Sequence, residues 1–186
     1  MPVEALTKLK PAKPRKFVPQ GADLGNWADI EPLFQKLESA AAKVKTPKQL
    51  ERWVGDASEL GAALDQEGAR RYINMTCQTD DSKVEKAYLH FIEHIDPQAK
   101  PHWHKIKELF LKNPAHKKLP KKRWMVFVRA VRNDVELFRP ENVPLQVEES
   151  KLEQQYQKTM AAMTVMFQGK EHTLQQMSRY FEEIDR

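Results

Sequence analysis

The chain has 186 residues, which fits one domain, and its 40% hydrophobic residues can form a core although 31% of its residues are charged. Six glycines are too few for the tight turns of a β-sandwich or barrel, and the single cysteine excludes a disulfide framework and a thiolate zinc cluster. The net charge is +5, and neither a signal peptide nor 18 consecutive uncharged apolar residues are present, so we expect a mainly α-helical, cytoplasmic protein without a membrane span.

The N-terminal residues differ from the rest of the chain in composition. Residues 1–20 are rich in lysine and proline and offer little to bury, so they predict a disordered basic leader. Residues 21–186 predict a helical lobe. Its first helix is expected over about 30–45, where apolar residues recur at helical spacing, namely Ile30, Leu33, Phe34, Leu37 and Ala41.

A capping-box pattern marks the start of a second helix. Thr46 and Gln49 can cap each other's backbone N–H groups, and Pro47 suits the first helical turn. The apolar face of this helix comprises Leu50, Trp53, Val54, Ala57, Leu60 and Leu64. We expect a separate short helix over 68–75, followed by a polar turn over 77–81.

Prolines divide the middle of the chain into further helices. Ser82 and Glu85 form a second capping-box pattern, which predicts a helix that ends at Pro97. The next helix is expected over 100–112, and Pro120 begins a longer one. The apolar stripe of that longer helix comprises Trp124, Phe127, Val128, Val131, Val135 and Phe138.

The C-terminal quarter contains the one departure from helix. Pro140 and Pro144 bound a predicted loop, and a helix is expected from Leu145 to Ala161. Two β-prone runs over about 163–173 are joined at Gly169, which can take a positive φ, so they predict a short β-hairpin. Thr173 then begins a final helix that runs towards the C-terminus.

The sharpest local motif is H-x-x-E-H, formed by His90, Glu93 and His94. Two histidines four residues apart share a helix face and can both reach a zinc ion, while the glutamate can polarise a bound water. Three further histidines follow, namely His102, His104 and His116. No flanking element supplies an obvious third ligand, and packing is the alternative interpretation, so we assign no metal ligand here.

A basic stretch runs from Lys100 to Arg132 and contains one acid, Glu108. Its aromatic residues are Trp103, Phe110 and Trp124. They fall at the apolar positions of their helices, which favours core residues over a stacking platform for nucleic acid. We therefore expect a solvated basic face. Cys77 has no basic neighbour in sequence, which predicts a buried, unreactive thiol.

Several segments resemble the oligoendopeptidase F family, zinc peptidases of the thimet oligopeptidase type. They lie in the same order as in the family and span residues 17–186. The C-terminal segments are ELFRPENVPLQ at 136–146, KLEQQYQ at 151–157, AMTV at 162–165 and GKEHTL at 169–174. The N-terminal segments are GADLGNW at 21–27, LGAALDQEGARRY at 60–72 and MTCQTDD at 75–81.

The resemblance implies an N-terminal helical lobe that forms one wall of a channel for short peptides. In the family, a C-terminal lobe carries the H-E-x-x-H motif, a further glutamate ligand and the catalytic zinc, and this chain contains no H-E-x-x-H. The resemblance therefore assigns this chain no catalytic, cofactor-binding or metal residue. The implied partners are the catalytic lobe or a full-length peptidase and an oligopeptide substrate, whereas the chain alone is expected to be inactive.

Three other functions stay open from the sequence. The chain can be a free-standing adaptor derived from such a lobe, in which case it should be a monomer or a defined dimer. It can be a small zinc-binding helical protein that uses His90 and His94. The third possibility is a basic RNA-binding module. Among possible partners, the sequence favours nucleic acid and membrane least.

Overall fold

The computed structural model of the chain describes residues 14–78 and 81–182. The mainly helical class with one hairpin is confirmed. The helices are α1 (Trp27–Ala41), α2 (Pro47–Cys77), α3 (Ser82–His90), α4 (Asp96–Lys112), α5 (Lys121–Leu137), α6 (Asn142–Ala162) and α7 (Leu174–Met177). A π-helical turn (Phe91–Ile95) joins α3 to α4, and 3-10 helices cover Pro114–Lys118 and Ser178–Glu182. Strands β1 (Thr164–Phe167) and β2 (Lys170–Thr173) form the hairpin.

The chain divides into two compact units. The first unit comprises the described residues of Met1–Arg70 together with Pro101–Phe138, and the second comprises those of Arg71–Lys100 and Arg139–Arg186. Helices α2 and α4 contribute residues to both units. In the described parts of the chain, no helix combines the length and the apolar character that a membrane crossing requires.

The core of the first unit forms around α1. This helix begins earlier than predicted because the Asn26 side chain accepts a hydrogen bond from the Ala28 N–H and caps it. Its apolar face is buried through Ile30, Leu33, Phe34 and Leu37. Trp53 of α2 is 5% exposed, and its indole N–H donates to the Leu37 carbonyl at 2.8 Å. This bond satisfies the one polar atom of a large buried side chain.

Helix α2 is a single helix of 31 residues, so the predicted separate helix over 68–75 is wrong. Gly68 suggested a break, but one glycine inside a helix costs only about 1 kcal/mol relative to alanine, and the helix continues through it. The predicted start is confirmed. The Thr46 hydroxyl accepts from the Gln49 N–H at 3.2 Å, and the Gln49 side chain accepts from the Thr46 N–H at 3.0 Å.

The predicted helix boundary at Pro97 is also wrong. Residues 82–112 are helical without interruption, because α3 continues through the π-helical turn into α4, so Pro97 lies inside this helix next to the turn where the hydrogen-bond register changes. The preceding π-helical turn places Phe91 and Ile95 inward, with exposed fractions of 8% and 1%. Asp81, rather than Ser82, caps α3, because its side chain accepts from the Lys83 N–H at 2.7 Å.

The C-terminal elements agree with the sequence except at Pro144. This proline was expected to bound a loop, but α6 begins at Asn142 and holds it in the first turn. The hairpin is confirmed, and Gln168 (φ 49°) and Gly169 (φ 73°) form its two-residue turn. Thr173 caps the final helix as predicted. Helix α7 is short, however, and continues as a 3-10 helix to Glu182.

The folded part of the chain begins before residue 20. Residues 1–13 of the predicted leader lie outside the described residues, whereas Phe17 and Val18 are buried. The Glu59 carboxylate of α2 accepts backbone hydrogen bonds from Lys16 (3.0 Å), Phe17 (2.6 Å) and Val18 (2.9 Å). Desolvation by burial raises the pKa of Glu59, but these bonds outweigh that effect and leave the pKa below its usual value.

We expect Glu59→Gln to lower the free energy of unfolding by about 1–3 kcal/mol at neutral pH, because the charge that strengthens the three hydrogen bonds is removed. A carboxyl whose pKa is lowered by folding stabilises fully above its unfolded pKa of about 4.3, and that stabilisation is lost as pH falls through the folded pKa. The difference from wild type should therefore shrink in acid. Urea unfolding at neutral and acidic pH measures it.

Asp65→Asn, an exposed position on the same helix, is the matched control and should leave stability nearly unchanged. A loss of stability at Glu59→Gln that is the same at both pH values would contradict the assigned role of the charge.

Candidate functional site

Polar contacts hold α6 in the second unit. Glu85 of α3 accepts hydrogen bonds from the side chains of Gln154 (2.8 Å) and Lys158 (2.9 Å), both on α6. Glu93 pairs with Lys151 at 2.8 Å, and Lys100 donates to the Gln146 side chain at 2.7 Å. From Gln146 to Lys158 along α6, the partner residues run backwards along the chain from Lys100 to Glu85. Helix α6 is therefore antiparallel to the segment from α3 to α4.

The two glutamates in these contacts are held in the charged form. The Lys158 hydrogen bond, followed by the Gln154 bond, lowers the pKa of Glu85. The Lys151 hydrogen bond lowers the pKa of Glu93 in the same way. Gln154, at 8% exposure, is the buried polar residue of α6, and its bond to Glu85 satisfies a group that is costly to bury alone.

A groove of about 460 Å³ lies beside this network, within the second unit. The end of α2, the C-terminal half of α6 and α7 form its walls. Its apolar lining consists of Met75, Tyr156, Met160, Ala161 and Leu174, and its amide side chains are Gln78, Gln154, Gln157 and Gln175. Glu85 and Lys158 also line it and neutralise each other.

The chemistry of this groove suits an uncharged, extended ligand. Each glutamine offers two N–H donors and a carbonyl acceptor, which match the alternating N–H and C=O groups of a peptide main chain. The apolar lining can accept one or two apolar side chains, and the volume falls within the range of ligand sites in proteins. The arrangement therefore fits a short peptide segment better than a charged metabolite.

The H-x-x-E-H motif occupies the end of α3 and the π-helical turn. The rings of His90 and His94 are 5.0 Å apart between centroids. Glu93 lies 4.0 Å from His94 but is engaged by Lys151. Across residues 14–78 and 81–182, no three His, Cys, Asp or Glu side chains come together in a group that can hold a metal ion. The structure thus brings the two histidines together without a third ligand.

The three other histidines of that region take part in packing. The Nδ1 atom of His102 lies 2.7 Å from a carboxylate oxygen of Glu38, and its ring stacks on Phe34 at 4.9 Å. His104 stacks on Phe138 at 4.3 Å, and Nδ1 of His116 lies 2.7 Å from the Asn113 carbonyl oxygen. These contacts explain how the three rings pack, although Nδ1 of His104 is buried and has no hydrogen-bond partner within the described part of the chain.

The aromatic residues of the basic stretch belong to the core of the first unit. Phe110 and Trp124 are buried, and the Trp124 indole N–H donates to Glu51 at 3.1 Å. Trp103 is half-buried and meets Phe34 edge-to-face at 4.8 Å. The predicted burial of Cys77 is wrong, since this thiol is exposed. It is the last residue of α2, where the helix leaves the packed region.

Comparison with known proteins gives one family. Residues 24–138, more than half of the chain, match the model of the Peptidase M3 N-terminal domain. The chain therefore belongs to the peptidase M3 N-terminal domain family. No curated protein is significantly similar to it. No solved structure matches it significantly either.

The groove was not predicted from the sequence. Its lining comes from separate segments, namely 75–78, Glu85, 154–161 and 173–175, which only the folded chain brings together. The sequence around Gln154 offered no local signal, because its neighbours on the same face of α6 are polar, namely Ser150, Lys151, Gln157 and Lys158.

We expect the chain, purified without chelators, to contain far less than one zinc per molecule, because His90 and His94 have no third ligand among the described residues. Elemental analysis of the purified protein measures this. Stoichiometric zinc that disappears in His90→Ala and His94→Ala would instead establish a zinc site at the motif.

The Glu85–Lys158 pair should show a modest, salt-dependent coupling. A double-mutant cycle of Glu85→Gln and Lys158→Met, followed by urea unfolding, should give about 0.5–1 kcal/mol, because Lys158 is partly exposed. The coupling should fall in high salt. A cycle of Glu85→Gln with Gln155→Met, an exposed position one residue beyond Gln154, is the control and should give no coupling.

Proposed function

We propose that the chain is the N-terminal, non-catalytic lobe of an oligoendopeptidase F-like zinc metallopeptidase that hydrolyses peptide bonds in short peptides in the cytoplasm. The family match over residues 24–138 carries this proposal. The resemblance over residues 17–186 supports the narrower assignment within the family. In this proposal the zinc and its ligands belong to the catalytic lobe, which is the partner of this chain.

The contribution of this lobe is to bind the peptide. Hydrolysis on zinc requires a metal-bound water and an open coordination position, and both belong to the catalytic lobe. Gln78, Gln157 and Gln175 of the groove offer main-chain hydrogen bonds to an extended peptide, while Gln154 stays bound to Glu85. The apolar lining receives a side chain. Binding that orients a substrate away from the reacting bond contributes to catalysis by reducing the entropy lost in the transition state.

A free-standing adaptor derived from this lobe is the second candidate. Apolar side chains exposed on the hairpin, including Val165 (40%) and Met166 (68%), form a surface through which either candidate can meet a partner. An adaptor should remain a monomer or a defined dimer at high concentration. A lobe separated from its catalytic half should associate through this surface without defined stoichiometry.

The purified chain should bind short peptides but not cleave them. We expect a blocked peptide of four alanines around a central leucine to shift the NMR signals of the groove residues. Leu174→Asp should weaken this binding by at least about tenfold, because a charge enters the apolar lining. Met166→Asp, on the exposed hairpin, is the control and should bind as wild type.

Chelator-sensitive cleavage of a quenched peptide by the pure chain would contradict the non-catalytic assignment. Peptide binding that Leu174→Asp leaves unchanged would place the binding site outside the groove.

A further inference from the structure

Helix α6 carries apolar side chains on two opposite faces. Its inner face holds Val143, Val147 and the buried Gln154. Its outer face carries Leu145, Leu152 and Tyr156, which are 60%, 64% and 65% exposed. Because these residues are spaced by seven and four positions, they lie on one side of the helix, and we name them the outer stripe.

An outer stripe of this kind is unusual for a surface helix. Such helices have one apolar stripe that faces the core and polar residues opposite it. Single exposed apolar residues are common, but three large ones aligned along one helix indicate a contact surface. The outer stripe spans about 16 Å along the axis, or three helical turns, which is the length over which two helices pack side by side.

The charges of α6 are sorted between the same two faces. Its two lysines, Lys151 and Lys158, pair with Glu93 and Glu85 of the facing segment. Three exposed acids lie around the outer stripe, namely Glu148, Glu149 and Glu153. The outer face is therefore apolar along its centre and acidic along its margins.

The charge pattern of the outer face indicates which kind of partner can bind there. Two outer stripes packed against each other would bring together the acids at their margins, Glu148, Glu149 and Glu153, from both copies, and like charges there are destabilising. An anionic membrane surface is disfavoured for the same reason. An amphipathic helix with lysine or arginine beside its apolar stripe satisfies both the apolar centre and the acidic margins.

We propose that the outer stripe of α6 docks an amphipathic helix of a partner polypeptide, whose leucine-like side chains are flanked by lysines and arginines. The partner helix needs about three turns to cover Leu145, Leu152 and Tyr156. Its basic side chains meet Glu148, Glu149 and Glu153, which set its position and orientation. This surface borders the groove at Tyr156, which lines both, whereas Leu145 and Leu152 lie outside the groove lining, and it does not depend on zinc or on catalysis.

The test uses a fluorescein-labelled synthetic helix of three heptads, with leucine at both apolar positions and lysine at the flanking ones. Fluorescence anisotropy measures its binding to the full chain at low salt. We expect the lysine helix to bind at least about tenfold more tightly than a counterpart with glutamate at the flanking positions. The double variant Leu145→Ser/Leu152→Ser, which leaves the groove lining intact, should lose at least about tenfold in affinity for the lysine helix.

Two further variants separate the apolar and the electrostatic contributions. Glu148→Lys/Glu149→Lys should reverse the preference between the lysine and glutamate helices. Met125→Ser/Val126→Ser removes similarly exposed side chains of α5, at 63% and 61%, and should bind as wild type. All these positions are exposed, so far-UV circular dichroism should show folded variants.

Three results would overturn the proposal. The first is equal binding of the lysine helix to wild type and to Leu145→Ser/Leu152→Ser. The second is a dimer in sedimentation that Leu152→Ser dissolves, which would make a second copy the occupant. The third is binding to vesicles of anionic phospholipid that is lost in the same variant, which would make the occupant a membrane.

Discussion

The hydrogen bonds that the Glu85 carboxylate accepts from Gln154 and Lys158 determine what the second unit can do. They fix the position of α6, which buries few apolar side chains of its own. They also neutralise the charges beside the groove, so that its amide and apolar side chains set its chemistry. Glu85 also pairs with Lys158, and Glu93 pairs with Lys151. Because both lysines of α6 are engaged on this side, the outer face of the helix is acidic.

Local signals in the sequence predicted the fold well. The capping pair Thr46 and Gln49 and the glycine turn at Gly169 appear in the structure where the sequence placed them, because these features depend on neighbouring residues only. The wrong boundaries concern Gly68 and Pro97, which lie inside continuous helices, and Pro144, which lies in the first turn of α6. Glycine and proline favour a helix boundary, but a helix can continue through either of them where the packing of its other residues stabilises it.

The candidate site depends on contacts that a sequence does not display. Gln154 and Glu85 are 69 positions apart, and Lys158 and Glu85 are 73 apart, so neither the groove nor the faces of α6 follow from local periodicity. The H-x-x-E-H motif shows the converse, since two histidines with suitable spacing meet without a third ligand in the described part of the chain. The resemblance in sequence predicted the family, whereas the groove and the outer stripe could be identified only in the folded chain.

The most direct measurement is the coding sequence that follows the Arg186 codon in the source gene. If this chain is the peptide-binding lobe of an enzyme whose zinc lies elsewhere, we expect an in-frame H-E-x-x-H followed by a more distant glutamate. A stop codon at that point, with no zinc-peptidase motif downstream in any frame, would contradict it.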